Sequence, residues 1–222
     1  MLLVLSPHLD DAVLSASALV AGADECIVAT AFTAAPAPAT RLTEWDAASG
    51  FRSTAGVMAV RLAEDRAALE VLGVKGLGLG ELDGHFGPDA GRPARLGAAL
   101  AALVGELRPR RCAIPLGVVH PDHVEVRTEA LRVARHVEGI EWLAYSDLPY
   151  SHALPGAEDD ALAEVCAAGW EVVACRPVIS PMRDAKRAAL ACYPSQLRAL
   201  AAYFPSASPA EDDEHYWRIT AR

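Results

Sequence analysis

Short apolar runs without polar alternation recur along this chain, separated by segments whose apolar residues have helical spacing. The clearest runs are Leu2–Leu5, Cys26–Phe32 and Arg111–Leu116. A strand that is covered on both faces is apolar throughout, and alternation of such strands with helices is typical of a parallel sheet. We therefore predict an α/β fold with a doubly wound, mostly parallel central sheet.

The other predicted elements continue this alternation along 222 residues, a length that suits one domain over residues 1–222. Helices are predicted over Asp11–Val20, Arg52–Leu72, Pro93–Leu107, His123–His136, Met182–Tyr193 and Ser195–Phe204. Further strands are predicted over Gly76–Gly80, Trp142–Tyr145, Trp170–Cys175 and Tyr216–Thr220. We expect loops over residues 151–162 and over Thr33–Phe51, which either covers the site or is a surface loop.

Charge and composition argue against several classes of protein. The net charge is −9, and no basic run or basic–aromatic patch suggests nucleic-acid binding. No apolar stretch has the roughly 18 residues of a transmembrane helix, and no signal peptide is recognisable. The five Cys residues form no C-x-x-C motif, so neither a disulfide framework nor a zinc ribbon is indicated. We expect a soluble cytoplasmic protein with a small-molecule substrate; the sequence does not define its oligomeric state.

A His and two carboxylates follow the first predicted strand, in the stretch S-P-H-L-D-D-A-V-L-S over Ser6–Ser15. In open α/β sheets, ligands bind at the carboxyl ends of the strands. Asp10 and Asp11 could be no more than the cap and first-turn acids of a helix. Alternatively, His8 and Asp11 hold a divalent metal, and Asp10 accepts a proton beside it.

A second polar motif, H-P-D-H, lies within Gly117–Val126, where another strand is followed by a helix. It could be an exposed helix start with Pro121 in the first turn. However, right-handed crossovers bring this motif to the same sheet edge as the first. His123 would then join His8 and Asp11 in an open set of N and O ligands. Such a set suits Zn²⁺, and also Fe²⁺, Co²⁺ or Mn²⁺.

The remaining polar residues of the two motifs have the types that metal-assisted hydrolysis needs. Asp10 would act as the general base for a water molecule that the metal acidifies. His120, protonated and held by Asp122 or Asp10, would face a developing oxyanion. Together the residues indicate hydrolysis of an amide or ester.

Both motifs resemble those of the PIG-L/LmbE-like de-N-acetylases, whose first motif is [A/S]-H-P-D-D-E. The similarity extends to W-D-A-A-S-G-F, R-L-A-E-D-R-A-A-L-E-V-L-G-V, L-D-G, D-L-P-Y, K-R-A-A-L-A-C-Y-P-S-Q and E-H-Y-W. The resemblance implies a Rossmann-like three-layer sandwich and a zinc-dependent enzyme. Such an enzyme removes an N-acetyl or related acyl group from an amino sugar or sugar-containing small molecule, in natural-product or thiol biosynthesis.

The resemblance also implies a role for each matching residue. The zinc ligands would be His8, Asp11 and His123, and the general base Asp10. His120 would stabilise the oxyanion, and Asp122 would orient the His120 ring. Arg61 and Asp83 would contact the substrate sugar. Leu9 and Ala12 replace the Pro and Glu of the commoner first motif. Neither replaced position is a ligand, so we expect local packing changes and a retained metal.

Three substrate-side predictions have structural alternatives. Some relatives have Tyr where this chain has Val118, so protonation of the leaving amine falls to Asp10 or to Tyr150, which could also be a packing residue. Arg61 could form a surface ion pair with a nearby acid on its own helix. Asp83 could be a turn residue, and Trp45 and Phe51 either stack on a sugar or anchor their loop.

Three other functions compete with deacetylation. The chain could be an amidase of thiol conjugates on the same scaffold, or a metal-binding protein that has lost catalysis. It could also be a non-hydrolytic nucleotide-binding module. Against the last function, no G-x-G-x-x-G follows the first strand, and two acids there would repel a pyrophosphate.

Overall fold

The computed structural model describes residues 1–37, 40–175 and 183–222. Seven strands form one sheet in the order β3-β2-β1-β4-β5-β7-β6. The strands are β1 Leu2–Ser6, β2 Cys26–Phe32, β3 Lys75–Glu81, β4 Arg111–Pro115, β5 Glu141–Tyr145, β6 Trp170–Cys175 and β7 Tyr216–Ala221. Strands β1 to β5 pair in parallel, and β7 is antiparallel to both β5 and β6. The predicted mostly parallel sheet is confirmed.

Helices cover both faces of this sheet. They are α1 Asp11–Ser15, α2 Ser17–Ala21, α3 Glu44–Ala48, α4 Val57–Val71, α5 Arg92–Leu107, α6 Pro121–Ala134, α7 Tyr150–Ala153, α8 Ala157–Ala167, α9 Arg183–Leu190 and α10 Pro194–Tyr203. Alternate residues of β1 point into two separate apolar clusters. Leu3 and Leu5 pack in the cluster that includes α5, α6 and α8. Leu2 and Val4 pack in the cluster that includes α1, α2, α4, α9 and α10. The protein is therefore the predicted three-layer sandwich.

Several helices differ from the prediction. The first is broken at Ala16, whose φ of −135° is not helical. The Thr33–Phe51 loop contains α3, which begins after Thr43, whose hydroxyl accepts the Asp46 N–H. The predicted 151–162 loop contains most of α7, which begins at Tyr150, and the start of α8, whose acidic first turn is itself a favourable helix start. The first residue of the predicted Met182–Tyr193 helix lies outside the described residues.

The strand order changes direction at β1, which lies between β2 and β4. In a doubly wound sheet this switch point leaves a crevice at the carboxyl ends of the two strands. The two turns that carry the His and Asp motifs, β1–α1 and β4–α6, therefore meet at one place. None of the described helices is both long and apolar enough to span a membrane.

Candidate active site

The β1–α1 turn is held by its own hydrogen bonds. The Ser6 hydroxyl donates to the His8 carbonyl at 2.6 Å and accepts the Ala12 N–H at 3.1 Å. Asp10 occupies the N-cap position of α1, but its side chain forms no capping hydrogen bond. One oxygen of Asp11, Oδ2, accepts the His8 backbone N–H at 2.8 Å. Asp10 is therefore the N-cap residue and Asp11 a first-turn acid by position, but the Asp10 side chain does not cap the helix.

Three side chains converge where β1 and β4 end. Asp11 Oδ2 lies 3.2 Å from His8 Nδ1 and 3.2 Å from His123 Nε2. The ligand atoms of the three residues all lie within 4.8 Å of one another. Ligands bound at about 2.0–2.1 Å to a tetrahedral ion are about 3.3 Å apart, close to these separations. Two imidazole nitrogens and a carboxylate oxygen therefore fit a divalent metal ion.

Each His of this cluster has a second carboxylate at its other ring nitrogen. His8 Nε2 lies 3.2 Å from Asp122 Oδ2, and His123 Nδ1 donates to Asp147 Oδ1 at 2.8 Å. Metal-binding His residues commonly donate their free N–H to a carboxylate, which fixes the ring orientation. Asp147 was not among the predicted site residues. It follows β5, and its Oδ2 accepts the backbone N–H groups of Gly117 and Val118, each at 2.7 Å.

The predicted orienting role of Asp122 toward His120 requires correction. The Asp122 carboxylate contacts His8, the Gly84 N–H at 3.0 Å and Arg92 Nη2 at 3.0 Å. His120 is instead bound by the backbone N–H of Asp122, which donates to its Nδ1 at 3.2 Å. The reason is that His120 is the N-cap of α6, and an N-cap side chain accepts from the first-turn backbone.

His120 also differs from the prediction in its charge. Burial, together with the nearby His8 and His123, lowers the pKa of His120 to about 3, so the ring is neutral. Because Nδ1 accepts a hydrogen bond, the ring proton is on Nε2. A neutral imidazole with this tautomer can still donate to a developing oxyanion.

Asp10 has the environment expected of a general base. Its side chain is buried and lines the same cavity as the cluster. Burial, and then the negative charge of Asp11, raises the pKa of Asp10 to about 6. A carboxylate whose proton affinity lies near neutrality can accept a proton from water and release it again.

The cavity next to the cluster has a volume of about 230 Å³ and is lined by both polar and apolar side chains. Its polar lining includes Asp10, Asp46, Arg61, Asp83, His85 and Gln196. Its apolar lining includes Leu14, Leu148, Pro149, Leu200 and Phe204. All three predicted substrate contacts, Arg61, Asp83 and Tyr150, border this cavity.

Arg61 pairs with a residue of the long loop. It is buried, and its Nη2 donates to Asp46 Oδ1 at 2.7 Å. Of the two nearest acids on its own helix, Glu64 accepts from the backbone and hydroxyl of Ser195. Asp65 Oδ1 lies 2.7 Å from the Tyr193 hydroxyl. The surface ion-pair alternative for Arg61 is therefore wrong.

Tyr150 packs against other aromatic rings and borders the cavity. Its ring centroid lies 5.9 Å from that of His120, 5.7 Å from that of His123 and 5.4 Å from that of Phe204. Burial, and then the charge of Asp11, raises the pKa of the phenol, so it keeps its proton. It is thus a packed residue with an O–H donor at the cavity.

Two further cavity residues are His85, which had no predicted role, and Trp45, which was predicted either to stack on a sugar or to anchor its loop. His85 Nδ1 lies 2.9 Å from Asp83 Oδ1, and the His85 ring centroid is 5.2 Å from that of His120. Trp45 stacks on Tyr203 with a centroid distance of 5.5 Å, and its indole N–H donates to Gln196. Phe51, considered together with Trp45, is not among the described residues that line this cavity. His85 lies four positions after the end of β3, which was the available signal, whereas Asp46 lies in α3 and was marked only by the W-D-A-A-S-G-F similarity.

Comparison with known proteins agrees with this geometry. A family model described as PIG-L: GlcNAc-PI de-N-acetylase matches residues 3–135. A deacetylase triple mutant of the teicoplanin biosynthetic pathway is 25% identical over 100% of this chain and 98% of its own, with a TM-score of 0.80. No curated protein matches the chain.

Two further structures share the fold. A deacetylase–teicoplanin complex is 23% identical over 100% of this chain and 98% of its own, with a TM-score of 0.78. The A40926 pseudoaglycone deacetylase is 24% identical over 99% of this chain and 97% of its own, with a TM-score of 0.74.

Proposed function

The chain belongs to the PIG-L family, and on that premise we propose that it is a metal-dependent de-N-acetylase. It removes an N-acetyl or related acyl group from an amino sugar or a sugar-containing small molecule. The observation that carries the proposal is the cluster of His8, Asp11 and His123 beside the buried Asp10. The family match covers all of these residues.

Zn²⁺ is the proposed ion, held by His8, Asp11 and His123, with Fe²⁺ or Co²⁺ as alternatives. When bound, such an ion polarises the amide carbonyl and lowers the pKa of water. The Asp10 carboxylate accepts the proton from the attacking water. Asp122 and Asp147 hold the two imidazole rings in orientation, because each is at the ring nitrogen that faces away from Asp11.

Charge that develops on the carbonyl oxygen is met by the Nε2–H of His120. The tetrahedral adduct then collapses as the leaving amine takes up a proton. Asp10 can return the proton it accepted, and Tyr150 supplies a second O–H at the cavity. The products are a carboxylate and a free amine.

The mixed polar and apolar lining of the cavity supports the proposed substrate class. Arg61 and Asp83 offer a charged donor and a charged acceptor for sugar hydroxyl groups. The stacked Trp45 and Tyr203 rings provide an aromatic face for a sugar or aglycone ring. The full-length similarity to a deacetylase of a glycopeptide-antibiotic pathway favours a natural-product substrate.

A single-domain enzyme in the cytoplasm completes the proposal. All five Cys residues are free thiols, and Cys26 and Cys112 are buried. Persistent thiols are typical of a reducing compartment.

The proposal is tested by measuring acetate release from N-acetylated sugars, aminoglycosides and glycopeptide precursors. Protein treated with a chelator to remove its metal is the blank. We expect about one divalent ion per chain, loss of hydrolysis on chelation, and recovery on metal addition. The Asp10→Asn variant should lose roughly 10²–10⁴-fold in kcat while it keeps its metal. Asp24→Asn, at an exposed site, is the matched control.

Full activity of Asp10→Asn would show that Asp10 is not the base. Cleavage of thiol conjugates without acetate release would favour the amidase alternative. A protein that binds nucleotide and never retains metal would contradict the proposed function.

A further inference from the structure

The hydroxyl of Tyr193 is buried next to the β1–α1 turn, called the catalytic turn below. It has one proton to donate and two possible hydrogen-bond acceptors within reach. The Tyr193 hydroxyl lies 2.8 Å from the Leu9 carbonyl oxygen and 2.7 Å from Asp65 Oδ1. A phenol can donate only one hydrogen bond, although its oxygen can also accept. If Tyr193 donates to Leu9, the contact with Asp65 is a hydrogen bond only when Asp65 itself carries a proton.

The surroundings of Asp65 favour that protonated form. Within the described part of the chain Asp65 has no salt bridge, because Arg61, one turn earlier, pairs with Asp46 at 2.7 Å. Burial, opposed by the Tyr193 hydrogen bond and reinforced by the charge of Asp10, raises the pKa of Asp65 to about 7. Tyr193 keeps its own proton, because burial and then Asp65 raise the pKa of the phenol.

We propose that protonated Asp65 is a positioning residue for the catalytic turn, acting through Tyr193 on the Leu9 carbonyl. Leu9 lies between the metal ligand His8 and the base Asp10. The hydrogen-bond chain therefore fixes the backbone from which both side chains project. The catalytic part of this inference rests on the proposed function, whereas the protonation of Asp65 does not.

Charged groups near Asp65 lie on several elements. Its own helix, α4, carries Arg61, Glu64, Arg66 and Glu70, the β1–α1 turn carries Asp10, and β3 carries Lys75. Helix α9 also packs against α4. The basic side chains of α9 are already paired, Lys186 with Glu214, Arg183 with Glu211 and Asp213, and Arg187 with Asp184 and Glu211. Arg66, Glu70 and Lys75 line a groove with Leu9 and Asp65. This groove gives Asp65 a route for proton exchange with water, which a fully enclosed acid would lack.

Loss of the Asp65 proton reverses the hydrogen-bond chain. An ionised Asp65 accepts the Tyr193 proton, and the Leu9 carbonyl then loses its donor. Because the pKa is about 7 in the folded protein and about 3.9 in an unfolded chain, the folded state binds the proton more tightly. The stability that the proton provides is complete below about pH 4, falls as the pH rises, and is lost above about pH 7.

The first test measures folding rather than catalysis. Urea unfolding of the metal-loaded protein is compared between wild type and Asp65→Asn, whose amide is always neutral and can donate to Tyr193. The ratio of the folding constants, variant over wild type, should rise by up to about tenfold per pH unit between pH 4 and 7, and then level off. Glu70→Gln, an exposed acid of the same groove, is the control and should show a flat ratio.

The second test measures kcat against pH. Asp65→Asn should keep wild-type kcat in acid and exceed it above about pH 7, because the Leu9 contact no longer titrates. Tyr193→Phe should lower kcat several-fold below about pH 7 with little change in KM, and its kcat should approach that of wild type at higher pH, where wild type has also lost the Leu9 contact. Adding Asp65→Asn to Tyr193→Phe should then have no further effect on the kcat profile.

A pH-independent folding ratio for Asp65→Asn overturns the inference, even if Tyr193→Phe does not fold. Identical kcat profiles of Asp65→Asn and wild type overturn its catalytic part. If no variant hydrolyses any amide but the folding ratio still rises with pH, the proposed function fails and the protonation of Asp65 stands.

Discussion

The two turns that form the site are interlocked but are held in place by different means. Asp11 of the β1–α1 turn contacts His123 of the β4–α6 turn, and Asp122 of the second turn contacts His8 of the first. The first turn is fixed largely by hydrogen bonds within its own sequence, through Ser6 and Asp11.

The second turn contains residues in the left-handed backbone conformation and is held by hydrogen bonds to an acid from another strand end. Gly117 and Val119 have φ values of 80° and 62°, and a β-branched residue rarely adopts such a conformation. Asp147, from the end of β5, binds the N–H groups of Gly117 and Val118 and the ring of His123. The comparison teaches that similar ligand placement can be specified locally or from a neighbouring strand.

The largest expected effects come from removing a ligand from either turn. Asp11→Ala and His123→Ala should each lose the proposed ion and at least about 10³-fold in kcat/KM, since each would supply one of the three proposed ligands. Metal content by mass spectrometry and acetate release measure the two losses. If only one variant loses its ion, the two turns do not contribute equally to the site.

Substitution of the carboxylates at the outer ring nitrogens of His8 and His123 should have smaller effects, which differ between the two turns. Asp122→Asn and Asp147→Asn should each weaken metal affinity about 10–100-fold, as measured by competition with a chelator. Asp147→Asn should also destabilise the protein by roughly 1–3 kcal/mol, because it disturbs buried backbone hydrogen bonds.

Asp24→Asn is the exposed control for this comparison and should change neither quantity. Equal metal affinity of wild type and both variants would contradict the orienting role of these acids.

The smallest effect concerns the strained backbone. Gly117→Ala should destabilise the protein by about 2 kcal/mol, because a Cβ there would lie 3.1 Å from Val124 Cα in a left-handed conformation. Gly139→Ala is the matched control, with a φ of 79° and no atom within 4 Å of a Cβ. Its cost, about 1 kcal/mol in urea unfolding, should be lower. Equal costs would mean that crowding at Gly117 adds nothing.

The sequence predicted the parts of this site that depend on strand ends. His8, Asp11 and His123 follow β1 and β4, and the topology of a parallel sheet brings such positions together. Asp147 follows β5 in the same way, but no neighbouring metal-ligand type marked it. The prediction could place Asp122 near the site, yet which imidazole it contacts depends on the cap geometry of α6.

Contacts between segments far apart in the chain were beyond prediction. Arg61 pairs with an acid 15 positions earlier, and the Tyr193 hydroxyl reaches Leu9 across 184 positions. Val60 and Val71, apolar residues at helical spacing in α4, are exposed. The buried face instead carries Arg61, Glu64 and Asp65, which contact α3 and the start of α10. Nothing in a single sequence distinguishes such partners from ordinary surface charges.

The position of β7 between β5 and β6 has a consequence for synthesis of the chain. Strands β1 to β5 lie within the first 145 residues and pair with one another. Only β5 has a further partner, β7, which is synthesised last. Within the described residues, strand β6 pairs only with β7. Its last residue, Cys175, lies opposite Tyr216, which comes 41 positions later in the chain. A nascent chain therefore passes through a stage with an open β5 edge, where chaperone binding or mispairing competes with completion of the sheet.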